Sequence, residues 1–295
     1  MTKLSPIAIF VYNRHDHFVK TIKYLKKNHL SNKSQIYIFS DGSKKNSDIK
    51  PVQKIRNYCK KIKGFKSIKT FERKTNFGLS RNLVDGISKI LKKHKSVIVL
   101  EDDLLTDKFF LKYMNDSLNY YSKNKKVISI HAYLYPIKNI IKKPFFLKGA
   151  DCWGWGTWRR GWKLYNSNSK SLLKFLKTKK KEKEFNFNNT FAYSKMLRDN
   201  INKKNDSWAI KWYASAFLKN KLTLYPPYSL IHNIGNDGSG INSSKNKIYD
   251  NILKNLPIEI NQIEISENYE LRNEFENYFN SKNNIIKKIF NKIIF

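Results

Sequence analysis

Short apolar runs alternate with amphipathic stretches through the first half of the chain. Ile7-Ala-Ile-Phe-Val-Tyr12, Gln35-Ile-Tyr-Ile-Phe39, Ser67 to Phe71, Ser96-Val-Ile-Val-Leu100 and Val127-Ile-Ser-Ile130 have the length and β-branched content of strands. Between them, His15 to Lys27, Ile49 to Ile62, Leu79 to Lys92 and Asp107 to Tyr121 repeat apolar residues at helical spacing. In one of these helices Leu79, Leu83, Ile87, Ile90 and Leu91 share a side. Strands alternating with helices of this length predict βαβ units. The expected fold is α/β, a mostly parallel sheet flanked by helices.

Past residue 135 the alternation fails. Phe145 to Gly149 reads as a short edge strand, followed by a Trp-rich loop. Helical stretches are expected over Ser169 to Glu184 and Ser207 to Asn220, then short strands over Leu222 to Pro226 and Tyr228 to His232. Asn236 to Lys247 carries loop chemistry. This organisation predicts one domain over 1–265, with halves 1–135 and 136–265, and a helical tail over 266–295. On a helical wheel Ile285, Ile286, Ile289, Phe290, Ile293 and Ile294 occupy one half, with Lys287, Lys288, Asn291 and Lys292 opposite. Such a basic amphipathic helix suits an anionic membrane surface, or docking on its own domain.

At 295 residues and 40% hydrophobic content the chain can bury a full core. Its apolar runs fall far short of the ~20 residues that cross a bilayer. The N-terminus leads directly into a strand pattern, and Cys59 and Cys152 offer neither a disulfide framework nor zinc spacing. A cytoplasmic protein is expected. Against 58 basic residues stand only 23 acidic ones, a formal charge of +35, which implies an anionic partner.

In so basic a chain the three consecutive acids Glu101, Asp102 and Asp103 are the strongest chemical signal. They end a predicted strand, at the edge where open α/β sheets bind ligands. Their mutual repulsion calls for a cation, and hard oxygen ligands suit Mn²⁺ or Mg²⁺. Other strand ends should meet them. The first offers Tyr12, Asn13 and Arg14, the second Asp41-Gly42-Ser43, and a loop opening a helix carries Gly78, Arg81 and Asn82. Arg14 and Arg81 are forks suited to phosphate oxygens. Asp41 could accept from a base N–H or a ribose hydroxyl, and Gly78 permits close backbone approach.

In the second half, four of the six tryptophans lie between Trp153 and Trp162. Aromatic faces stack on sugar rings, so Trp153, Trp155 and Trp158 are expected at an acceptor site, with core packing the competing use. Asp151 neighbours this loop. Asp206, before a helix beginning near Trp208, reads either as an N-cap or as a general base kept ionised by the helix terminus.

Together these motifs resemble GT-A glycosyltransferases of the family 2 kind. Such enzymes place Tyr-Asn-Arg, Asp-Gly-Ser, Asn-x-Gly-x-x-x-Asn and an acidic metal motif in this order. Here they stand at Tyr12 to Arg14, Asp41 to Ser43, Asn76 to Asn82 and Glu101 to Asp103. The Glu-Asp-Asp triplet is similar to that of the N-acetylglucosaminyltransferase I type. The resemblance implies a GT-A (Rossmann-like) fold, with 1–135 binding a nucleoside diphosphate sugar and 136–265 binding the acceptor. It further implies Asp103 as metal ligand, Glu101 and Asp102 on the ribose or donor sugar, His232 completing the metal or diphosphate site, and Asp206 or Asp151 as base. Inversion at the anomeric carbon follows from the same likeness, while the basic surface and tail suggest work at the inner face of the cell membrane, on a glycan or lipid-linked glycan acceptor as in surface polysaccharide synthesis.

Two rival functions were weighed. A nucleic-acid-binding protein would gather its lysines on one face, whereas here they are spread over almost every segment. A nucleotidyltransferase would show a Gly-rich basic signature after the first strand, where Tyr12-Asn13-Arg14 stands instead. No nucleic-acid partner is expected.

Overall fold

A computed structural model describes residues 4–238 and 248–293, with side chains through residue 282. The first half runs β1 (Ile7–Val11), α1 (His15–Lys26), β2 (Gln35–Ser40), α2 (Asn46–Cys59), β3 (Ser67–Glu72), α3 (Gly78–Lys93), β4 (Ser96–Glu101), β5 (Leu104–Thr106), α4 (Phe110–Tyr120) and β6 (Val127–His131). The second continues with β7 (Phe145–Lys148), β8 (Trp155–Trp158), α5 (Arg159–Trp162), α6 (Ser169–Thr178), α7 (Glu182–Phe185), α8 (Tyr193–Ile201), α9 (Trp208–Leu218), β9 (Leu222–Tyr225), β10 (Ile231–Asn233) and α10 (Tyr269–Ile293).

One sheet collects eight of these strands in the order β3-β2-β1-β4-β8-β6-β9-β7. Strands β3, β2, β1 and β4 are parallel, β8 runs antiparallel between β4 and β6, and β6 pairs in parallel with β9. Strands from both sides of residue 135 therefore interleave. Alternation along β1 loads both faces. Ile7, Ile9 and Val11 pack with Phe18, Ile22 and Leu25 of α1 and Met114 of α4. Ala8 and Phe10 pack with Leu83 and Ile87 of α3 and with Trp208 and Trp212 of α9. A further core, centred on Phe185, Phe217 and Phe275, joins α7, α9 and α10.

The second half departs from expectation in specific ways. The stretch read as one helix over Ser169 to Glu184 divides into α6 and α7, and α8 had no clear signal. The Trp-rich loop contains strand β8. Within β8 a Cβ at Gly156 would lie 2.9 Å from Met114 Cε and 3.0 Å from the Val97 carbonyl oxygen. That glycine lets α4 and β4 pack against the strand. Helix α10 carries the predicted tail through Ile293, while the side chains of 283–295, and with them the amphipathic face, lie outside the described residues.

Candidate functional site

The order of the parallel strands reverses between β1 and β4, which opens a crevice at their carboxyl ends. A cleft of about 330 Å³ lies there, lined by the ends of β1, β2 and β4, the start of α3, and a late segment after β10. Of the residues singled out above it brings together Tyr12, Asn13, Arg14, Asp41, Gly78, Asn82, Glu101, Asp102, Asp103 and Trp153. They come from segments far apart in sequence. Topology alone assembles them.

At the centre, Arg14 Nη2 donates to Asp102 Oδ1 and, at 2.7 Å, to Asp103 Oδ2. Asp102 is buried, and its backbone carbonyl accepts from Thr21 Oγ1 of α1 at 2.8 Å. Burial, reinforced by the charges of Asp103 and Asp102, pushes the Glu101 carboxyl up to about 8. For Asp102 burial raises the carboxyl to about 6 against the pull of Arg14. The guanidinium of Arg14 is held firmly charged by the two acids, which outweigh its own burial.

The remaining walls are fixed by hydrogen bonds that sequence did not forecast. Asp48, in the first turn of α2, accepts from Tyr12 Oη at 2.7 Å and from Asn13 Nδ2 at 3.1 Å, which orients the turn after β1. Buried Asp41 accepts at Oδ1 from the backbone N–H of Gly42 and of Phe77, each at 2.8 Å, and at Oδ2 from Asn76 at 3.3 Å. It thereby ties the β2 end to the start of α3. Gly78 adopts φ 71°, in the left-handed region that glycine enters freely. Asn82 donates to the Phe39 carbonyl at 3.3 Å and accepts from Arg73 at 3.0 Å. Lys44 also lines the cleft, and its only signal was a cation just after Asp41-Gly42-Ser43.

On the far side, strands β5 and β10 form a two-stranded antiparallel ribbon. The Ile234 N–H donates to the Asp103 carbonyl at 2.9 Å, and Asn233 Oδ1 accepts from the Gly235 N–H at 2.7 Å. A Cβ at Gly235 would lie 2.1 Å from Asp103 Oδ2, so the late segment backs directly onto the acid. Trp153 closes the cleft. Its backbone N–H donates to His131 Nε2 at 3.1 Å, and its ring meets Tyr133 and Tyr249 edge-on. Burial pulls His131 down to about 4, so it is neutral and able to accept that bond.

Six expected residues lie elsewhere. Arg81 is exposed on α3, with its guanidinium 3.9 Å from the Phe77 ring, and does not line the cleft. Trp155 and Trp158 are corrected from acceptor surface to core: they are 0% and 4% exposed. Trp155 stacks on Trp208, and Trp158 Nε1 donates to the Leu118 carbonyl. His232 lines a different cleft, because alternation along β10 turns it away from Asn233 and Asp103. Asp151 accepts from Tyr135 Oη at 3.2 Å and from the Cys152 N–H at 2.9 Å, two residues before Trp153. Asp206 does not cap α9; Ser207 does, accepting from the Ile210 N–H. The Asp206 side chain is 73% exposed, 3.6 Å from Lys211 Nζ. Helix α9 ends where β9 begins, so its N-terminus lies toward the carboxyl edge of the sheet, the edge that holds the acids.

Carboxylate oxygens are the hard donors that Mn²⁺ and Mg²⁺ prefer, and here two converge on one cationic nitrogen. The residues fit such an ion in kind. Among the described residues no group of three or more His, Cys, Asp or Glu side chains could enclose one, so other ligands would have to complete it.

Residues 7–204 match the family described as Glycosyl transferase family 2. No curated protein matches the chain. Among solved structures the chain is similar to S. aureus TarS 1–349, at 12% identity and TM-score 0.42, covering 77% of this chain and 60% of that one. It is also similar to S. aureus TarS, at 13% identity and TM-score 0.40, covering 79% and 37%. A third is the mannosyltransferase PcManGT from Pyrobaculum calidifontis in complex with GDP-Man and Mn²⁺, at 10% identity and TM-score 0.32, covering 45% and 36%. The chain thus spans between 36% and 60% of the length of these structures.

Proposed function

The chain belongs to glycosyl transferase family 2, and from that premise we propose that it moves a sugar from a nucleoside diphosphate sugar to a hydroxyl of a glycan or lipid-linked glycan, with inversion. One observation carries this reading: a cationic nitrogen and two carboxylates meet at the carboxyl edge of a sheet, in a cleft of about 330 Å³. Asp103, with Asp102 behind it, would hold a divalent cation together with diphosphate oxygens. That ion would offset the charge that develops on the departing diphosphate.

The chain's own residues supply the rest. Asp41, Asn82 and Tyr12 bound the part of the cleft that suits the base and ribose. Arg14 and Lys44 bring positive charge to phosphate oxygens. Glu101, at the same strand end and lining the cleft, can hydrogen-bond a sugar or ribose hydroxyl. Trp153 presents a face to the transferred sugar or the acceptor.

Asp206 is the general base in this proposal. Its carboxylate is exposed at the N-terminal end of α9 and open to an acceptor. Asp151, with both oxygens engaged, orients the Trp153 loop. Work at the inner face of an anionic membrane belongs to the same reading; it is supported by the +35 charge, and no described helix is long and apolar enough to cross a bilayer.

A panel of nucleoside diphosphate sugars with Mn²⁺, scored by thermal stabilisation and by release of nucleoside diphosphate, tests the proposal. At least one donor should stabilise the protein and be slowly hydrolysed, and Asp103→Asn should remove both effects. If no donor stabilises the chain, the assignment of the cleft fails.

A further inference from the structure

The β5–β10 ribbon has a second side. Asn233 lines the donor cleft, whereas His232 and Leu105 face a separate cleft of about 620 Å³. Among the described residues its polar lining is Tyr24, Lys27, Thr106, Lys108, His232, Asn251 and Asn255, with no carboxylate. The acid nearest in sequence, Asp107, is fully buried and already accepts from the backbone N–H of Phe109 at 2.8 Å and of Asn255 at 2.6 Å. The second of these bonds fixes one wall, and Asn251 Nδ2 donating to the Leu134 carbonyl at 2.7 Å fixes it again.

The cations in this cleft are uncommitted. Among the described residues, no carboxylate pairs with Lys27 or Lys108; their ammonium groups rest over the rings of Tyr24 and Phe109, at 5.5 and 5.1 Å. Among the described residues His232 Nδ1 is buried without a hydrogen-bond partner. Orphaned buried N–H groups are rare, so the favoured tautomer carries its proton on Nε2 and presents the cleft with a donor. Two ammonium groups, an imidazole N–H and the Tyr24 hydroxyl then make a donor-rich, positively charged wall. In the segment that supplies Asn251, Leu253 and Asn255 to the lining, Ile252 is 88% exposed and Leu256 54% exposed.

We propose that this cleft is a second ligand site, distinct from the donor cleft, that binds a phosphate group through Lys27, Lys108 and His232. Soluble phosphorylated compounds and lipid headgroups both present that group, and Ile252 and Leu256 expose apolar side chains in the segment that also lines the cleft.

The full chain, with its histidine rings labelled with ¹⁵N, is titrated with inorganic phosphate at low salt; His232→Gln identifies the His232 signals. Those signals should move saturably, and in Lys27→Ala/Lys108→Ala the affinity should fall by about tenfold or more. Nucleoside diphosphate binding to the donor cleft should be unchanged in that variant, which separates failure of this site from failure of the donor site. Unmoved His232 signals, or equal phosphate affinity in the double variant, would overturn the proposal. Cosedimentation with phosphatidylglycerol and with phosphatidylcholine vesicles then identifies the carrier. Selective loss of phosphatidylglycerol binding in the double variant assigns a lipid headgroup, and retained binding assigns a soluble phosphate.

Discussion

The two halves of this chain use the same kinds of residue for opposite ends. In the first, polar and charged side chains at strand ends leave the sheet and meet in one cleft: Arg14, Asp41, Asp102 and Asp103 line a common space. In the second, two of the three tryptophans that promised a sugar-stacking surface turn inward: Trp158 is buried, and Trp155 stacks or tilts against Trp162, Trp208 and Trp212. A buried carboxylate needs a partner to justify its position, so acids at a strand end signal function. A buried tryptophan needs only neighbours. Aromatic richness therefore announces a core as readily as a ligand site.

Substitutions can break or sharpen that contrast. The largest effects should fall on polar residues. Asp103→Asn is expected to lower turnover by about 10²–10³-fold, as loss of a main electrostatic contact does, with an unchanged melting temperature. Steady-state rates beside a thermal melt check this. Asp206→Asn should cost about 10²–10⁴-fold if the residue is the base, and a loss confined to KM would leave Asp206 as a binding residue only.

Tryptophans should divide by place rather than by type. Trp155→Ala should destabilise by about 3–5 kcal/mol through the cavity it leaves, measured by denaturant unfolding. Trp153→Ala should instead leave stability nearly intact and raise KM for donor or acceptor. Equal destabilisation by the two would erase the distinction between core and cleft.

A smaller effect concerns pH. The Glu101 carboxyl titrates near 8 in the folded protein against an ordinary 4.5, so the folded state holds a proton that the unfolded chain releases. Its contribution is fully present below about pH 4.5 and is lost as pH rises toward about 8. Glu101→Gln should therefore raise the melting temperature of the ligand-free protein at pH 8 and give no such gain at pH 4. A gain independent of pH would point to packing instead. Smallest of all, Arg81→Ala should alter stability by no more than about 0.5 kcal/mol and leave donor KM unchanged.

Legibility in sequence followed the same divide. The parallel strands of the first half are continuous apolar runs, and a run that stops on acids fixes where those acids emerge. Asp48 escaped notice because an acid in the first turn of a helix has a sufficient local use there. Strand β10 spans only Ile231–Asn233, and in so short a strand parity alone decides which side chain meets the cleft. No pattern of residues around His232 could supply that parity. Strand β8 was hidden because its pairing partners, Ser96 to Val99 and Ser129 to His131, lie far away in sequence.

Residue 235 follows Asp103 by more than a hundred positions, yet it forms the floor against which that carboxylate rests, and β8 from the second half separates β4 from β6. Donor and acceptor halves are thus labels for jobs, not for pieces that fold alone. A fragment ending near residue 135 would lack the inserted strand and the floor beneath its acid, and would be expected to emerge as an aggregate rather than as a nucleotide-binding module.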